Sequence, residues 1–239
     1  MSCLLLVRHG QASAGAEDYD RLSDLGRYQA RILGEHWAGR GLELDRVVVG
    51  TLRRQVETAE AAGRAFADAG GSWPEPESVA AFNEHAGYEV VLEALEELQA
   101  SDPKIRAWVE ALESSSEPDL ETFWKAFRYV TYLWARGELP LAGNSHETWQ
   151  AFRSRVEGAL DELASETPRG QNVAVFTSAG PSGVAAAAAL GLDHGRAIEL
   201  SWRVQNSAVT ELLPGSRGLR LKSFNSASHL PSAELVTMV

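Results

Sequence analysis

Arg8, His9 and Gly10 place a permanent cation, an imidazole and a backbone free to turn in direct succession. A neutral imidazole is a good nucleophile toward phosphorus near pH 7, and the phosphohistidine it forms splits one displacement into two. The transferring group is negatively charged, so such a centre also needs fixed cations, and the planar guanidinium fork suits phosphate oxygens. Arg8 is one such cation. A second is offered by the run Gly50-Thr51-Leu52-Arg53-Arg54-Gln55, where a strand end turning into a helix adds N-terminal amides that favour an anion. Either arginine alone would read as a solvated surface charge; with His9 they point to phosphoryl transfer.

The elements that must position these groups follow from the patterning. The apolar residues 4–7 predict a short buried strand, so the triplet falls at a strand's carboxyl end, where sites on open α/β sheets collect. Ser23 predicts the cap of a helix with Ala30, Leu33 and Trp37 on one face, ending near Gly39 and Gly41. Residues 47–49 predict a second strand and the alanine-rich 57–69 a second helix. This alternation predicts an α/β fold, a three-layer sandwich with a mostly parallel central sheet flanked by helices. Residues 88–143 interrupt it with three apolar stripes at helical spacing, near Val91, Ile105 and Phe123. That block holds eleven acidic and five basic residues, more than half of the chain's net charge of -11, and reads as an acidic helical cap. A helix near 147–164, a strand at 173–176, an alanine-rich helix at 182–190 and strands near 208–213 and 219–224 complete the pattern. No internal repeat and no long linker divides the sequence, which predicts one domain over 1–239 with the cap inserted at about 88–143.

With these residues on the page, the chain resembles the histidine phosphatase superfamily, the phosphoglycerate-mutase-like enzymes. The family's first motif, a strand followed by Arg-His-Gly, matches Arg8, His9 and Gly10, and Gln11 is a common variant after it. Its second motif, Leu-x-Arg-x-x-x-Thr-Ala, falls on Leu52, Arg54, Thr58 and Ala59, so the resemblance gives the phosphate-binding role to Arg54 rather than Arg53. The segment Phe82-Asn83-Glu84-His85-Ala86-Gly87 resembles the one that supplies the proton donor, which places that role on Glu84; a partly buried carboxyl with a raised pKa suits it. Asn144-Ser145-His146-Glu147 with Arg155 resembles a further segment, although a helix cap explains it equally well. One position departs from the pattern. Where the family's strand usually ends in His-Gly, Ser178 and Ala179 stand here, and a hydroxyl offers a neutral hydrogen bond in place of a charge-assisted one.

The resemblance implies a cofactor-independent phosphatase acting on a small phosphomonoester, with His9 as nucleophile, Glu84 as general acid, Arg8 and Arg54 on the phosphate, and Gly10, Gln11, Ser178 and Ala179 lining the substrate. A mutase using the same phosphohistidine is its close variant. Two other classes stay open: a phosphoryl-binding or regulatory protein that lost turnover with the second histidine, and an acyl-transfer enzyme using Ser178. The other histidines, His36, His85, His146, His194 and His229, read as surface or structural residues. Asn206 and Ser207 read as a turn before a strand that touches the pocket rim.

Composition narrows the partners. A charge of -11 opposes binding to nucleic acid or anionic lipid, and a cap whose cations are Lys104, Arg106, Lys125, Arg128 and Arg136 argues against substrates carrying several phosphates. Cys3 is the only cysteine, so no internal disulfide forms, and it reads as a buried strand residue. With no metal-ligand cluster and no nucleotide-binding glycine pattern, no metal and no cofactor are expected. No stretch has membrane-spanning length and the first residues lack a basic leader, so the expected location is cytoplasmic.

Overall fold

The computed structural model describes residues 2–13, 20–115, 117, 119–140 and 146–238. Its strands are β1 (Cys3–Arg8), β2 (Arg46–Val49), β3 (Pro76–Ser78), β4 (Asn172–Thr177), β5 (Val209–Gly215) and β6 (Gly218–Ser226). They form one mixed sheet in the order β3-β2-β4-β1-β5-β6. The first four in that order run parallel, and β5 and β6 add an antiparallel edge. The unbroken apolar sequence of residues 3–7 in β1 and of residues 173–176 in β4 follows from their central place, because a strand covered on both faces has no polar side.

The helices are α1 (Asp24–Gly39), α2 (Arg53–Asp68), α3 (Gly87–Leu98), α4 (Pro103–Ser114), α5 (Leu120–Arg136), α6 (Trp149–Glu166), α7 (Ala179–Leu190) and α8 (His194–Ser201). Within the unit that holds the sheet, α1, α2 and α7 pack on the strands and α8 packs on α7, an α/β arrangement as the sequence pattern predicts. Ser23 caps α1 by accepting from the Gly26 amide, and Ala30, Leu33 and Trp37 lie buried along its face. The core on this side joins Val7, Leu33, Trp37, Val49, Phe66 and Phe176.

Several boundaries differ from the sequence reading. Helix α2 starts at Arg53, a turn before residue 57, and α7 at Ala179 rather than 182. The first turn of α7 contains Gly180 and Pro181, residues of weak helix propensity, and that of α2 lacks a side-chain cap bond to mark its start. His194, read as part of a turn, opens α8, capped by Asp193. The exposed β3, three residues beginning with proline, carries no periodicity long enough to read.

The chain divides into two compact units, Met1–Glu84 with Arg155–Val239, and His85–Ser154. In the second, α3 packs on α5 through Val91, Ala94, Val130 and Trp134 among others, and α4 adds the fully buried Ile105. His85 is an aromatic-core residue there, with ring centroids 5.1 Å from both Trp134 and Phe152. His146 pairs with Glu93 at 2.8 Å. Asn144 and Ser145 lie outside the described residues.

In the first unit, His229 is buried with Nε2 2.9 Å from Ser207 Oγ and its ring centroid 6.2 Å from that of His36. Burial first, and then the neighbouring His36, push its pKa down to about 4. An unfolded histidine titrates near 6.5, so between about pH 6.5 and 4 the unfolded chain binds a proton that the native state refuses. Stability therefore falls on acidification through that window, by up to about 1.4 kcal/mol per pH unit for one such histidine. Urea unfolding at pH 7 and pH 5 should show a smaller stability loss for His229→Gln than for the wild type; equal losses would assign the acid sensitivity elsewhere.

Candidate active site

The parallel register brings three strand ends together. Arg8 on β1 pairs with Thr177 on β4, and Val49 on β2 pairs with Phe176. The residues that follow, His9, Gly50 and Ser178, therefore emerge side by side at the carboxyl edge; the His9 amide donates to Thr177 O at 2.8 Å and the Gly50 amide to Phe176 O at 3.0 Å. The loop after β1 runs against the start of α1 with no room for side chains. A Cβ on Gly10 would lie 2.3 Å from Gly26 O, and one on Gly26 would lie 2.1 Å from Gln11 O. Glycine is needed at both places because backbone meets backbone.

His9 is buried, with Nδ1 2.7 Å from Gly10 O and Nε2 3.2 Å from Arg54 Nε. Each contact specifies the same tautomer. A carbonyl oxygen only accepts, so Nδ1 carries the proton; a guanidinium only donates, so Nε2 holds its lone pair. Burial first, then the charges of Arg54 and Arg8, hold the His9 pKa well below its ordinary value. The imidazole is thus neutral near pH 7, with its Nε2 lone pair accepting from a cation.

Arg54 is in the first turn of α2. Its Nη1 contacts Asp20 Oδ1 at 2.5 Å, while Asp20 Oδ2 accepts from the Arg53 amide at 2.9 Å. One carboxylate thereby occupies both the guanidinium and the helix N-terminus, the pair of groups expected to hold an anion. Thr58, one turn further along, accepts from the Gly10 amide at 3.1 Å and donates to Arg54 O at 2.6 Å, tying the two motifs together. Arg8 donates to Val204 O, and its charge still acts on His9.

Ser178 is fully buried at the cap of α7, and its Oγ accepts from Gln55 Nε2 at 2.8 Å. That leaves the hydroxyl proton uncommitted in this bond. Ala179 is the first residue of α7, and the next amide, Gly180, donates to Glu84 Oε2 at 3.0 Å. Pro181 has no amide to offer, so the Glu84 carboxylate sits on the helix N-terminus. The backbone leading to Glu84 is pinned from three sides. Arg155 donates to the carbonyls of Ala81 and Asn83, while Gln55 and Thr177 donate to that of Phe82.

The fold thus gathers His9, Gly10, Arg54, Ser178, Ala179 and Glu84 at one sheet edge. The Gln11 Oε1 accepts from Ser23 Oγ at 2.9 Å, at the cap of α1. Asp20, Gln55 and Thr58 were not assigned roles from the sequence. A buried Gln bridging two loops leaves no local signature, whereas Thr58 stood inside the second motif and could have been found there. Among the described residues, no three His, Cys, Asp or Glu side chains converge as a metal site, and no helix is long and apolar enough to cross a membrane.

Comparison with known proteins identifies the family and the fold. The family model of the histidine phosphatase superfamily (branch 1) matches residues 4–128 and 121–227. Sequence comparison with curated proteins finds no match. Among solved structures, a putative alpha-ribazole-5'-P phosphatase from Escherichia coli is 21% identical with a TM-score of 0.64, over 95% of this chain and 97% of that one. A phosphoglycerate mutase from Bacillus anthracis is 16% identical with a TM-score of 0.64, over 95% and 94%. A mutant phosphoserine phosphatase from Entamoeba histolytica, solved with phosphoserine, is 16% identical with a TM-score of 0.62, over 96% and 100%. At these identities the structural likeness establishes a shared fold.

Proposed function

The chain belongs to the histidine phosphatase superfamily, and from that premise we propose that it is a metal-independent phosphomonoesterase working through a phosphohistidine on His9. The observation that carries this reading is the tautomer: Nδ1–H is committed to Gly10 O and the Nε2 lone pair lies against Arg54. Nε2 attacks phosphorus as the ester P–O bond breaks, and Glu84 gives a proton to the departing oxygen. Water then attacks phosphorus and gives a proton to Glu84, the N–P bond breaks with its electron pair returning to Nε2, and phosphate leaves with His9 neutral again. Arg54 and Arg8 stabilise charge on the phosphoryl oxygens, with the Arg54–Asp20 pair opening to admit the substrate. The substrate of this reading is a small phosphomonoester, and the protein is cytoplasmic and binds neither nucleic acid nor membrane.

The test is hydrolysis of p-nitrophenyl phosphate, with phosphoserine and 3-phosphoglycerate as physiological-type esters, in excess EDTA. Turnover is expected to persist in the chelator, since the stabilising groups are arginines. Activity that returns only with a divalent ion would overturn the mechanism. A second reading, a phosphoryl-binding protein with little turnover, is favoured by one observation: Ser178, where the family's pattern has histidine, is uncharged and already engaged by Gln55. Tight phosphate binding without hydrolysis of any ester would select it.

Glu84→Gln separates the acid role from a merely structural one. Gln keeps an oxygen for the Gly180 amide but has no proton to give. Hydrolysis of an alkyl phosphate, with a poor leaving group, is expected to slow by about 10²–10⁴-fold, the usual size of general-acid assistance. The loss on p-nitrophenyl phosphate should be far smaller, because its leaving group departs unprotonated. Equal losses on both substrates would remove Glu84 from the acid role.

A further inference from the structure

Behind the His9 loop lies a polar chain, buried at Gln29 and Asn206 and half-buried at Thr237, that the catalytic reading does not use. Gln29, on α1 and fully buried, accepts at Oε1 from the Gln11 amide at 2.8 Å and donates from Nε2 to Leu235 O at 2.7 Å and Thr237 Oγ1 at 2.9 Å. Thr237 Oγ1 is also 2.9 Å from Asn206 Oδ1. Asn206, buried, donates from Nδ2 to the His9 carbonyl at 3.3 Å and from its backbone amide to Thr237 O at 2.8 Å.

The direction of every bond is fixed. Leu235 O can only accept and the Gln11 amide can only donate, which sets the Gln29 amide orientation. The Thr237 hydroxyl must then accept from Gln29, so its single proton goes to Asn206 Oδ1. That turns Asn206 Nδ2 toward the His9 carbonyl; the reversed amide would set two oxygens against each other. The chain therefore leaves Gln11, passes through Thr237 and returns to His9, enclosing Gly10. The Ser207 amide gives the same carbonyl a second bond, at 3.2 Å.

We propose that Thr237 is a positioning residue: its hydroxyl closes this hydrogen-bonded loop and fixes the backbone on both sides of Gly10, and so the aim of the His9 imidazole. The inference rests on His9 being the nucleophile. Thr237 lies far from β1 in sequence and touches no reacting atom. It acts because Gly10 has no side chain to brace the loop: Thr58 and the His9 ring hold the glycine's own amide and carbonyl, and the Thr237 chain holds the amide and carbonyl on either side of it. Buried networks of this kind are cooperative, so losing one member weakens the rest.

Thr237→Val keeps the shape and removes the hydroxyl, and Thr237→Ser keeps the hydroxyl and removes a methyl. With p-nitrophenyl phosphate, Thr237→Val should lower kcat about 10-fold with KM changed less than about two-fold, since small misplacements of a reacting group cost rate rather than binding. Thr237→Ser should restore kcat to within about two-fold of wild type, while thermal midpoints of the two variants stay similar. Thr237→Ala, which leaves space where Val introduces a methyl, serves the same comparison should Val fail to fold. A hydroxyl-free variant with wild-type kcat, or a Ser variant as slow as Val or Ala, overturns the proposal. His9→Ala is the control for the underlying reading. If it keeps activity, the nucleophile assignment itself fails; if it is inactive while the hydroxyl-free variant is unaffected, the positioning role alone fails.

Discussion

His9→Ala is expected to abolish turnover and, with it, a covalently bound phosphate. The wild-type chain, mixed briefly with substrate and quenched, should carry phosphate in an acid-labile, base-stable form, as a phosphoramidate does and a phosphoserine does not. The imidazole is the attacking group, so its removal should cost at least about 10⁴-fold in rate, in line with the loss of nucleophiles elsewhere. The same histidine sets a pH signature. Because burial and the two arginines hold its pKa well below its ordinary value, the reactive neutral form persists on acidification past the point where a free histidine would charge. The acid limb of kcat/KM that reports His9 should lie below about pH 6.5, the unperturbed value. Ser178→Ala provides the scale: it removes one neutral hydrogen bond, about 1 kcal/mol or several-fold in rate. A His9→Ala protein with wild-type activity, or a phosphoenzyme that survives the substitution, would leave the central assignment without support.

Arg54→Ala is expected to have the next largest effect. Its guanidinium stands between the His9 Nε2 lone pair and the Asp20 carboxylate, where charge builds on the transferring phosphoryl group. Loss of one preorganised donor of this kind typically costs about 10²–10³-fold in kcat. Removing Arg54 also leaves Asp20 as an unneutralised negative charge beside the anion site, so KM should rise as well. Arg54→Lys restores a charge without the planar fork and should recover only part of the loss. The double variant Asp20→Asn with Arg54→Ala discriminates the two contributions: KM should fall back toward wild type while kcat stays low. Were Arg54→Ala to keep wild-type kcat, phosphate binding would have to be assigned to Arg8 or Arg53.

The α/β class and the placing of His9 at a strand's carboxyl end were legible in the sequence, because they depend on local quantities. Apolar runs of strand length, a capping serine and the alternation of strand with helix are written in neighbouring residues, and two short motifs carried the family. The helical stripes of residues 88–143 were legible for the same reason. What joins these elements was not. That β4 lies beside β1 and brings Ser178 level with His9 is a matter of pairing register, settled by residues about 170 positions apart. The sequence showed Arg54 but not that Asp20 holds it, and Glu84 but not that its carboxylate rests on the first turn of α7. The sequence showed Gln11 but not that its Oε1 accepts from the cap of α1. Asn206 read as a turn residue, Gln29 and Thr237 carried no local signal, and only the fold made the three neighbours. Residue types and short spacings determine which chemistry is available. Its geometry comes from long-range hydrogen bonds, which no local pattern encodes because their partners become adjacent only when the core closes.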